Sequence, residues 1–411
     1  MTSDPPRPPR RPSSHSLGPG RAAPLRVAVA GLGFGEQVHL PALAACPLTV
    51  PVALWHPRPE RLDKACTASG LPGFSDFEAL LADPGIEALV IATPPGPRFE
   101  LAKAAIAAGK HLLLEKPVAL NAEQVLELQR LALAAGVCVG VNFEYRAVPL
   151  FQQLSGLLQQ GAIGSPWLVK LDWLMGSRAD PLRPWSWYSQ RSEGGGVLGA
   201  LGTHAFDTLH WLIGPTRQLS ATCSTAIGER PLTSARGAQA SRSGPGSTPT
   251  LIPTLPPTLV PAASRGSAPV DAEDIALVQL TLETTAGKTV PAQVSLASVA
   301  RPGRGYWIEL SGSEGSLVLG SANQSDYVHG FQLWQARGGE ALQLVEPDAE
   351  LAFERTWVDG RVAPVQRILH RWATAVAEGR PMLPGLSEAG LSQACCDLAL
   401  RSARDGLRLR P

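Results

Sequence analysis

From Leu25 onward, apolar residues come in short unbroken runs, and each run is followed by a stretch with helical spacing. LRVAVAG (25–31) leads into a Gly-rich turn and a helix that ends near Cys46. VPVALWH (50–56) precedes the helix PERLDKACTAS, and IEALVIA (86–92) precedes the helical RFELAKAAIAAG, closed by Gly109. HLLLEK (111–116) comes before AEQVLELQRLALAAG, which Asn121 opens as an N-cap with Gln124 three residues on. VCVGVN (137–142) ends the series. Strands that are apolar throughout and alternate with helices predict a parallel sheet covered on both faces. The expectation is a doubly wound α/β Rossmann domain over residues 25–145.

Beyond Arg146 the pattern changes. Helices are expected at 147–160 and 196–213, and strands near 167–175, 217–226, 274–284, 288–299, 305–311 and 315–319. Long neighbouring strands without helices between them predict a second α+β domain, residues 146–411, with a large open, mostly antiparallel sheet. Two last helices, about 364–378 and 387–405, should pack back on the body. Residues 231–269 interrupt the pattern with Ser, Pro, Thr, Gly and Ala, which reads as a flexible insertion. The Pro-, Arg- and Ser-rich residues 1–24 cannot bury a face and read as a disordered tail.

Composition narrows the function classes. The 411 residues are 44% hydrophobic and 17% charged, with a net charge of +1, which fits a globular protein with a large core. No Lys/Arg run tracks a phosphate backbone, so no nucleic-acid partner is expected. No apolar run reaches the roughly 18 residues of a membrane span. The N-terminus lacks the apolar core of a secretory signal, and the six cysteines form no CxxC pair or zinc spacing. A cytoplasmic protein with no metal is expected. An open sheet with uncovered faces and edges favours a homo-oligomer.

Chemistry concentrates at the ends of the apolar runs. In GLGFGEQVHLPAL, Gly31 permits a tight turn after a strand, and Gly33 lets the backbone approach a pyrophosphate at the next helix N-terminus. Phe34 and Gly35 complete the turn. Position 36, the third of G-x-G-x-x-G, is Glu36, so Gly35 would have to substitute. The second strand ends in His56, Pro57 and Arg58 rather than the acid that usually bonds the adenosine ribose. That ending suits the 2′-phosphate of NADP better than the bare hydroxyl of NAD. The alternative is that these are solvated loop residues. Thr93 and Pro94 follow the third run, and Asn142, Tyr145 and Arg146 follow the last; all could border a pocket. Trp185, Trp187 and Tyr188 could stack on a sugar or simply pack.

These motifs occur in a fixed order: the Gly31 turn with His39, Thr93-Pro94, Gly109-Lys110-His111, Glu115-Lys116-Pro117, Gly140-Val141-Asn142, GAIGSP (161–166), GGGVLGALGTHAFDTLHWLIG (194–214), GSEGSL (312–317) and EGRPMLP. In this the chain resembles the glucose–fructose oxidoreductase, inositol dehydrogenase and rhizopine-catabolism (Gfo/Idh/MocA) family over nearly all of 25–405 except the insertion. The resemblance implies an NAD(P)-dependent dehydrogenase or reductase acting on a small-molecule substrate, a sugar, cyclitol or related polyol. It implies that Glu115 and Lys116 lie beside the nicotinamide and that Lys116 also meets the substrate. It makes His204 the proton acceptor, and from their positions Tyr145 and Trp187 are expected as further substrate contacts. The family pattern has an aspartate four residues before that histidine; here it is Ala200. Asp207, three residues after His204, would have to substitute. The departure leaves two other readings open: a non-catalytic nucleotide-binding regulator, and a branch that uses NAD for redox-assisted glycoside cleavage.

Overall fold

The computed structural model describes residues 23–232, 266–323 and 326–411. The first part of the chain runs β1 (Leu25–Ala30), α1 (Leu40–Ala45), β2 (Thr49–Trp55), α2 (Pro59–Ser69), β3 (Gly73–Phe74), α3 (Phe77–Ala82), β4 (Ala88–Ile91), α4 (Pro95–Ala107), β5 (His111–Leu114), α5 (Ala122–Ala135) and β6 (Val139–Val141). All neighbouring strands pair in parallel, in the order β3-β2-β1-β4-β5-β6. This is the Rossmann order. Local signals hold the helices in place. Asn121 Oδ1 accepts the Gln124 N–H at 2.9 Å, while the Gln124 side chain accepts from Leu120 N–H at 3.0 Å, one residue before the expected capping-box partner. Gly109, with φ 73°, turns the chain out of α4.

The second part adds α6 (Pro149–Gln159), β7 (Pro166–Leu174), α7 (Thr203–Leu212), β8 (Thr216–Ser224), β9 (Glu229–Pro231), β10 (Ser267–Pro269), β11 (Ile275–Glu283), β12 (Thr289–Ala297), β13 (Gly305–Gly312), β14 (Gly315–Ser321), β15 (Gln332–Arg337), β16 (Gln343–Leu344), α8 (Val362–Ala377) and α9 (Leu386–Asp405). Eight strands form one sheet in the order β16-β15-β14-β13-β7-β12-β11-β8. Only β7 and β12 pair in parallel; the other neighbours are antiparallel. Along β11 the alternation is clear: Ala276, Val278, Leu280 and Leu282 are buried, whereas Leu277 is 51% exposed. The buried side packs under α6, α7 and α9. The other face carries the exposed Leu168 and Leu277 and a stacked Trp307–Trp334 pair.

Two late helices tie the parts together. From α8, Val365, Ile368, Leu369 and Trp372 pack with Val27, Val29 and Leu54 of the parallel sheet, so a helix from the end of the chain covers one of its faces. The first turn of α9 joins the core on the opposite face through Leu386 and Ala389, and its later turns join the core of the mixed sheet.

Two expectations need adjustment. The helix expected at 196–213 opens with a π-helical turn, Leu198–Gly202, before α7 begins. The tail expected at 1–24 lies, through residue 22, outside the described residues, as does 233–265 of the expected insertion. The ends of that insertion are strands rather than irregular chain: Pro231 pairs with Ser267, and β9 and β10 form a two-stranded ribbon.

Candidate active site

The chain leaves β1 for β2 on one side, and β4 lies on the other. Such a switch point opens a crevice at the strands' C-terminal ends. A cleft of about 830 Å³ lies there, running from the Gly31 turn to His204.

The glycines of the turn have three distinct surroundings. Gly31 has φ 101°, and a Cβ there would sit 2.8 Å from the Ala92 carbonyl carbon, so only glycine fits. Gly33 has nothing within 4 Å of such a Cβ, which leaves its backbone open to the cleft. A Cβ on Gly35 would meet Val29 Cγ1 at 2.9 Å, so Gly35 lets the helix approach β1. That is the work of the third glycine of the fingerprint, done one residue early. The chain then forms a π-helical turn, Gly35–His39, which absorbs the shift in spacing. Phe34 lines the cleft under the Arg361 guanidinium, 5.2 Å from its ring centre. Thr93 and Pro94 line the facing wall, and Thr93 Oγ1 is buried without a hydrogen-bond partner among the described residues. An open backbone, a close-packed turn and an unpaired hydroxyl at the switch point fit a dinucleotide.

At the end of β2, His56, Arg58 and Arg61 border the cleft. His56 is buried, and its Nδ1 accepts the Arg58 N–H at 3.1 Å. Burial pushes the imidazole below its ordinary value, and the Arg61 and Arg58 charges add to this against the backbone bond with Arg58. His56 therefore shapes the loop as a neutral ring. The exposed cations are Arg58 and Arg61.

Glu115 ends β5 inside a buried network. Its Oε1 accepts from Asn142 Nδ2 at 2.7 Å and lies 2.8 Å from His39 Nε2. Burial raises its pKa, but the His39 contact and the charges of His39, Lys116 and Arg98 more than offset this and hold the carboxyl below its ordinary value. Arg98, itself buried, donates to the Glu115 carbonyl at 2.7 Å and to the carbonyls of Pro117 and Thr93. Burial lowers this guanidinium to about 10. The network clamps the backbone on both sides of Lys116. Asn142 is fully buried and turned to Glu115, so it reaches the site through that carboxylate.

Lys116 Nζ donates to the carbonyl of Ala200 at 2.8 Å. That carbonyl belongs to the π-helical turn before α7. The cationic head thus meets a backbone oxygen at the position where the expected pattern has a carboxylate. Burial lowers the Lys116 pKa, while Glu144 and Glu115 counter it. One turn further on, His204 is 3% exposed. Its ring packs edge-on against Tyr145 (5.0 Å between centres) and Phe143 (5.8 Å). Burial, and then the Lys116 charge, push His204 well below its ordinary value. Asp207 does not support it. The Asp207 carboxylate takes two hydrogen bonds from Arg146, at 2.7 and 2.8 Å, and so ties α7 to the chain just after β6.

The acid that does approach His204 is one the sequence reading passed over. Glu144 Oε2 lies 3.7 Å from His204 Nε2, and both side chains are buried. Glu144 sits in VNFEYR, directly past the last parallel strand; a charged residue at a strand's C-terminal end was the available signal. Burial, and then the nearby Glu115, push its carboxyl up to about 7 against the pull of Lys116 and Arg361.

The far wall is aromatic: Tyr145, Trp173, Trp187, Tyr188 and Tyr327 line it. The Tyr145 hydroxyl is hydrogen-bonded to that of Tyr327 at 2.9 Å, so this ring backs His204 with its polar end already engaged. Trp187 stands on a loop whose Trp185 is pinned to the β9–β10 ribbon: Trp185 N–H donates to Pro231 O at 2.9 Å and its indole to Pro269 O at 3.0 Å.

Comparison with known proteins gives this arrangement a family. Residues 25–143 match the NAD-binding Rossmann fold of the Gfo/Idh/MocA oxidoreductases, and residues 156–409 match the same family's C-terminal alpha/beta domain. The chain belongs to the Gfo/Idh/MocA family of oxidoreductases. Among its relatives is the uncharacterised oxidoreductase sll0816 of Synechocystis, 41% identical over 93% of this chain and 94% of that one. Levoglucosan dehydrogenase of Pseudarthrobacter phenanthrenivorans is 30% identical over 76% of this chain and 77% of the relative. A solved levoglucosan dehydrogenase in complex with NADH and levoglucosan has the same fold. It aligns with a TM-score of 0.77 and 24% identity over 94% of this chain and 99% of that structure. Among the described residues, no helix is long and apolar enough to cross a membrane, and no group of His, Cys, Asp and Glu could hold a metal ion.

Proposed function

We propose that the protein catalyses NAD(P)-dependent hydride transfer between a nicotinamide and a sugar, cyclitol or related hydroxy/keto compound, with NADP(H) preferred. The observation that carries this reading is the meeting of Lys116 and His204 at one end of a cleft whose other end is the Gly31–Gly35 turn. The bound nicotinamide would supply the two-electron acceptor or donor. Lys116 would orient the substrate oxygen and stabilise negative charge as it develops there; the nearby Glu144 and Glu115 oppose the lowering of its pKa by burial. His204 would take the hydroxyl proton during oxidation and return it during reduction. The aromatic wall would stack on the apolar face of a sugar ring and exclude water. Arg58 and Arg61 support the NADP(H) preference, because two guanidiniums suit a phosphate and no carboxylate from the end of β2 competes.

The test is turnover, followed by the absorbance of the reduced nicotinamide, with both cofactors over a panel of levoglucosan, D-xylose, myo-inositol and their keto forms. Oxidation or reduction of at least one member supports the reading. Cofactor binding without turnover anywhere on a broad panel favours a nucleotide-binding regulator. We also take the uncovered face bearing Leu168, Leu277 and the Trp307–Trp334 pair as the contact between copies of this chain. Light scattering should then give a multiple of 43.3 kDa, and a monomer would remove that reading.

A further inference from the structure

We propose that Glu144 is the carboxylate that completes the proton-accepting pair with His204, filling from a different strand end the role left vacant by Ala200. The inference rests on the oxidoreductase reading above and identifies the residue that makes its histidine competent.

The argument begins with what His204 lacks. It is buried among Phe143, Tyr145 and Trp173, with the Lys116 ammonium nearby. A cation formed there gains nothing from solvent and is repelled by Lys116. An imidazole in that position alone is a poor base near neutrality. Neither expected carboxylate relieves it: position 200 has no acid, and Asp207 is spent on Arg146.

Glu144 relieves it. Its Oε2 stands 3.7 Å from His204 Nε2, is buried, and has no hydrogen-bond partner among the described residues. An unpaired buried carboxylate oxygen is costly, and this one lines the cleft. Protonation of the ring, at either nitrogen, puts positive charge beside that oxygen. In the oxidation direction the substrate O–H bond breaks and an N–H bond forms on His204. The hydrogen on carbon leaves with two electrons to the nicotinamide, and the imidazolium is matched by the Glu144 carboxylate until its proton passes to solvent. Glu144 acts through His204 and is a positioning residue.

The charged and titratable groups that face Glu144 come from several elements: Glu115 and Lys116 past β5, His204 on α7, Arg361 at the start of α8, with Asp359 bonded to it, and the hydroxyls of Tyr145 and Tyr327. Glu115 is locked to His39 and Asn142, and Arg361 to Asp359, so the pair with freedom to exchange a proton is Glu144 and His204. The 3.7 Å contact lets the charge state of Glu144 act on the His204 ring. Below about pH 7 the Glu144 carboxyl is protonated and no longer offers His204 a negative charge.

The experiment compares wild type, Glu144→Gln, Glu144→Asp and the double variant Glu144→Gln/Ala200→Asp. One readout needs no turnover: the histidine ring NMR signals of 13C-His-labelled protein against pH, with His204 assigned through His204→Ala. In wild type the His204 signal should shift as the neighbouring carboxylate titrates near pH 7, and Glu144→Gln should abolish that step. The second readout is kcat and kcat/KM against pH on whichever of levoglucosan, D-xylose or myo-inositol turns over. Glu144→Gln should lower kcat roughly 10²-fold, with cofactor affinity unchanged, and lose the acid limb near pH 7. Glu144→Asp should recover part of the loss. The double variant should recover more than Glu144→Gln, because its new carboxylate lies one turn before His204. A His204 signal indifferent to Glu144→Gln, or a wild-type pH profile in that variant, overturns the inference and leaves the oxidoreductase reading standing. Absence of turnover in wild type with the NMR step present overturns the oxidoreductase reading instead.

Discussion

Glu144 and His204 meet across the two halves of the molecule: Glu144 follows β6 of the parallel sheet, His204 lies on α7 above the mixed sheet, and their Oε2 and Nε2 are 3.7 Å apart. The Arg146–Asp207 pair, two residues beyond Glu144 and three beyond His204, holds the same two elements together. The proton chemistry of the site thus depends on how the two halves are joined.

Burial, and then the nearby Glu115, make Glu144 a pH-dependent contributor to stability. The Glu144 pKa is raised from 4.5 to about 7 in the fold. Between those values the folded chain keeps a proton that the unfolded chain has released. The stability due to this group is therefore fully present below pH 4.5 and lost as pH rises through about 7. Gln cannot ionise. The Tm difference between Glu144→Gln and wild type should shift in favour of the variant as pH rises from about 5 to about 8. Calorimetry at several pH values checks this, and a difference that stays flat or moves the other way would contradict it.

Gly31 and Gly33 should fail differently. Gly31→Ala forces a left-handed residue against the Ala92 carbonyl and should cost about 1–3 kcal/mol of stability. Gly33→Val meets open space and should leave Tm unchanged, while its side chain occupies the cleft and weakens cofactor binding. Thermal melts and cofactor titrations on both variants separate the two effects.

Arg58 and Arg61 should govern cofactor choice. Hydrogen bonds to charged groups contribute about 1.5–3 kcal/mol. The double variant Arg58→Ala/Arg61→Ala should therefore bind NADPH roughly 10–100-fold more weakly and NADH almost as before. Fluorescence titration with both cofactors is the check; equal losses would mean that the arginines do not read the 2′-phosphate.

The segment between the ribbon strands should be removable, but the ribbon should not. Leu232 N–H donates to Gly266 O at 2.8 Å, so a short Gly-containing turn can join them. Deletion of 233–265 with such a turn should leave folding and cofactor binding intact. Deletion of 229–269 removes the carbonyls of Pro231 and Pro269 that hold Trp185, and should raise KM more than it lowers kcat, because the Trp187 loop loses its anchor. Solubility, cofactor titration and kinetics of the two deletions decide this.

The parallel sheet was legible because strands such as Ala88–Ile91 are buried on both faces and so are apolar throughout. The long strands β11 to β14 were legible for the opposite reason, alternation with one face buried. The two-residue β3 and the six-residue α3 leave too short a trace, and β15, QLWQAR, lies near the edge of its sheet with little apolar signal. The packing of α8 on the first sheet has no local signature at all, since it joins residues over 300 positions apart, such as Val27 and Ile368. The site divides in the same way. Motif residues Gly31, Thr93, Lys116 and His204 come together at the cleft. Glu144, Arg61 and Arg98 take their importance from neighbours that only folding brings near.

The central claim, that Lys116 and His204 carry out hydride-transfer chemistry on a bound small molecule, is tested most directly by turnover of three proteins under saturating cofactor: wild type, Lys116→Met and His204→Ala. The account predicts measurable reduction of NADP or NAD by at least one sugar or cyclitol in wild type. It predicts losses of about 10²–10⁴-fold in each variant, with cofactor affinity nearly unchanged in both. Wild-type rates in either variant, or a wild type that binds cofactor and turns over nothing in either direction, would contradict it.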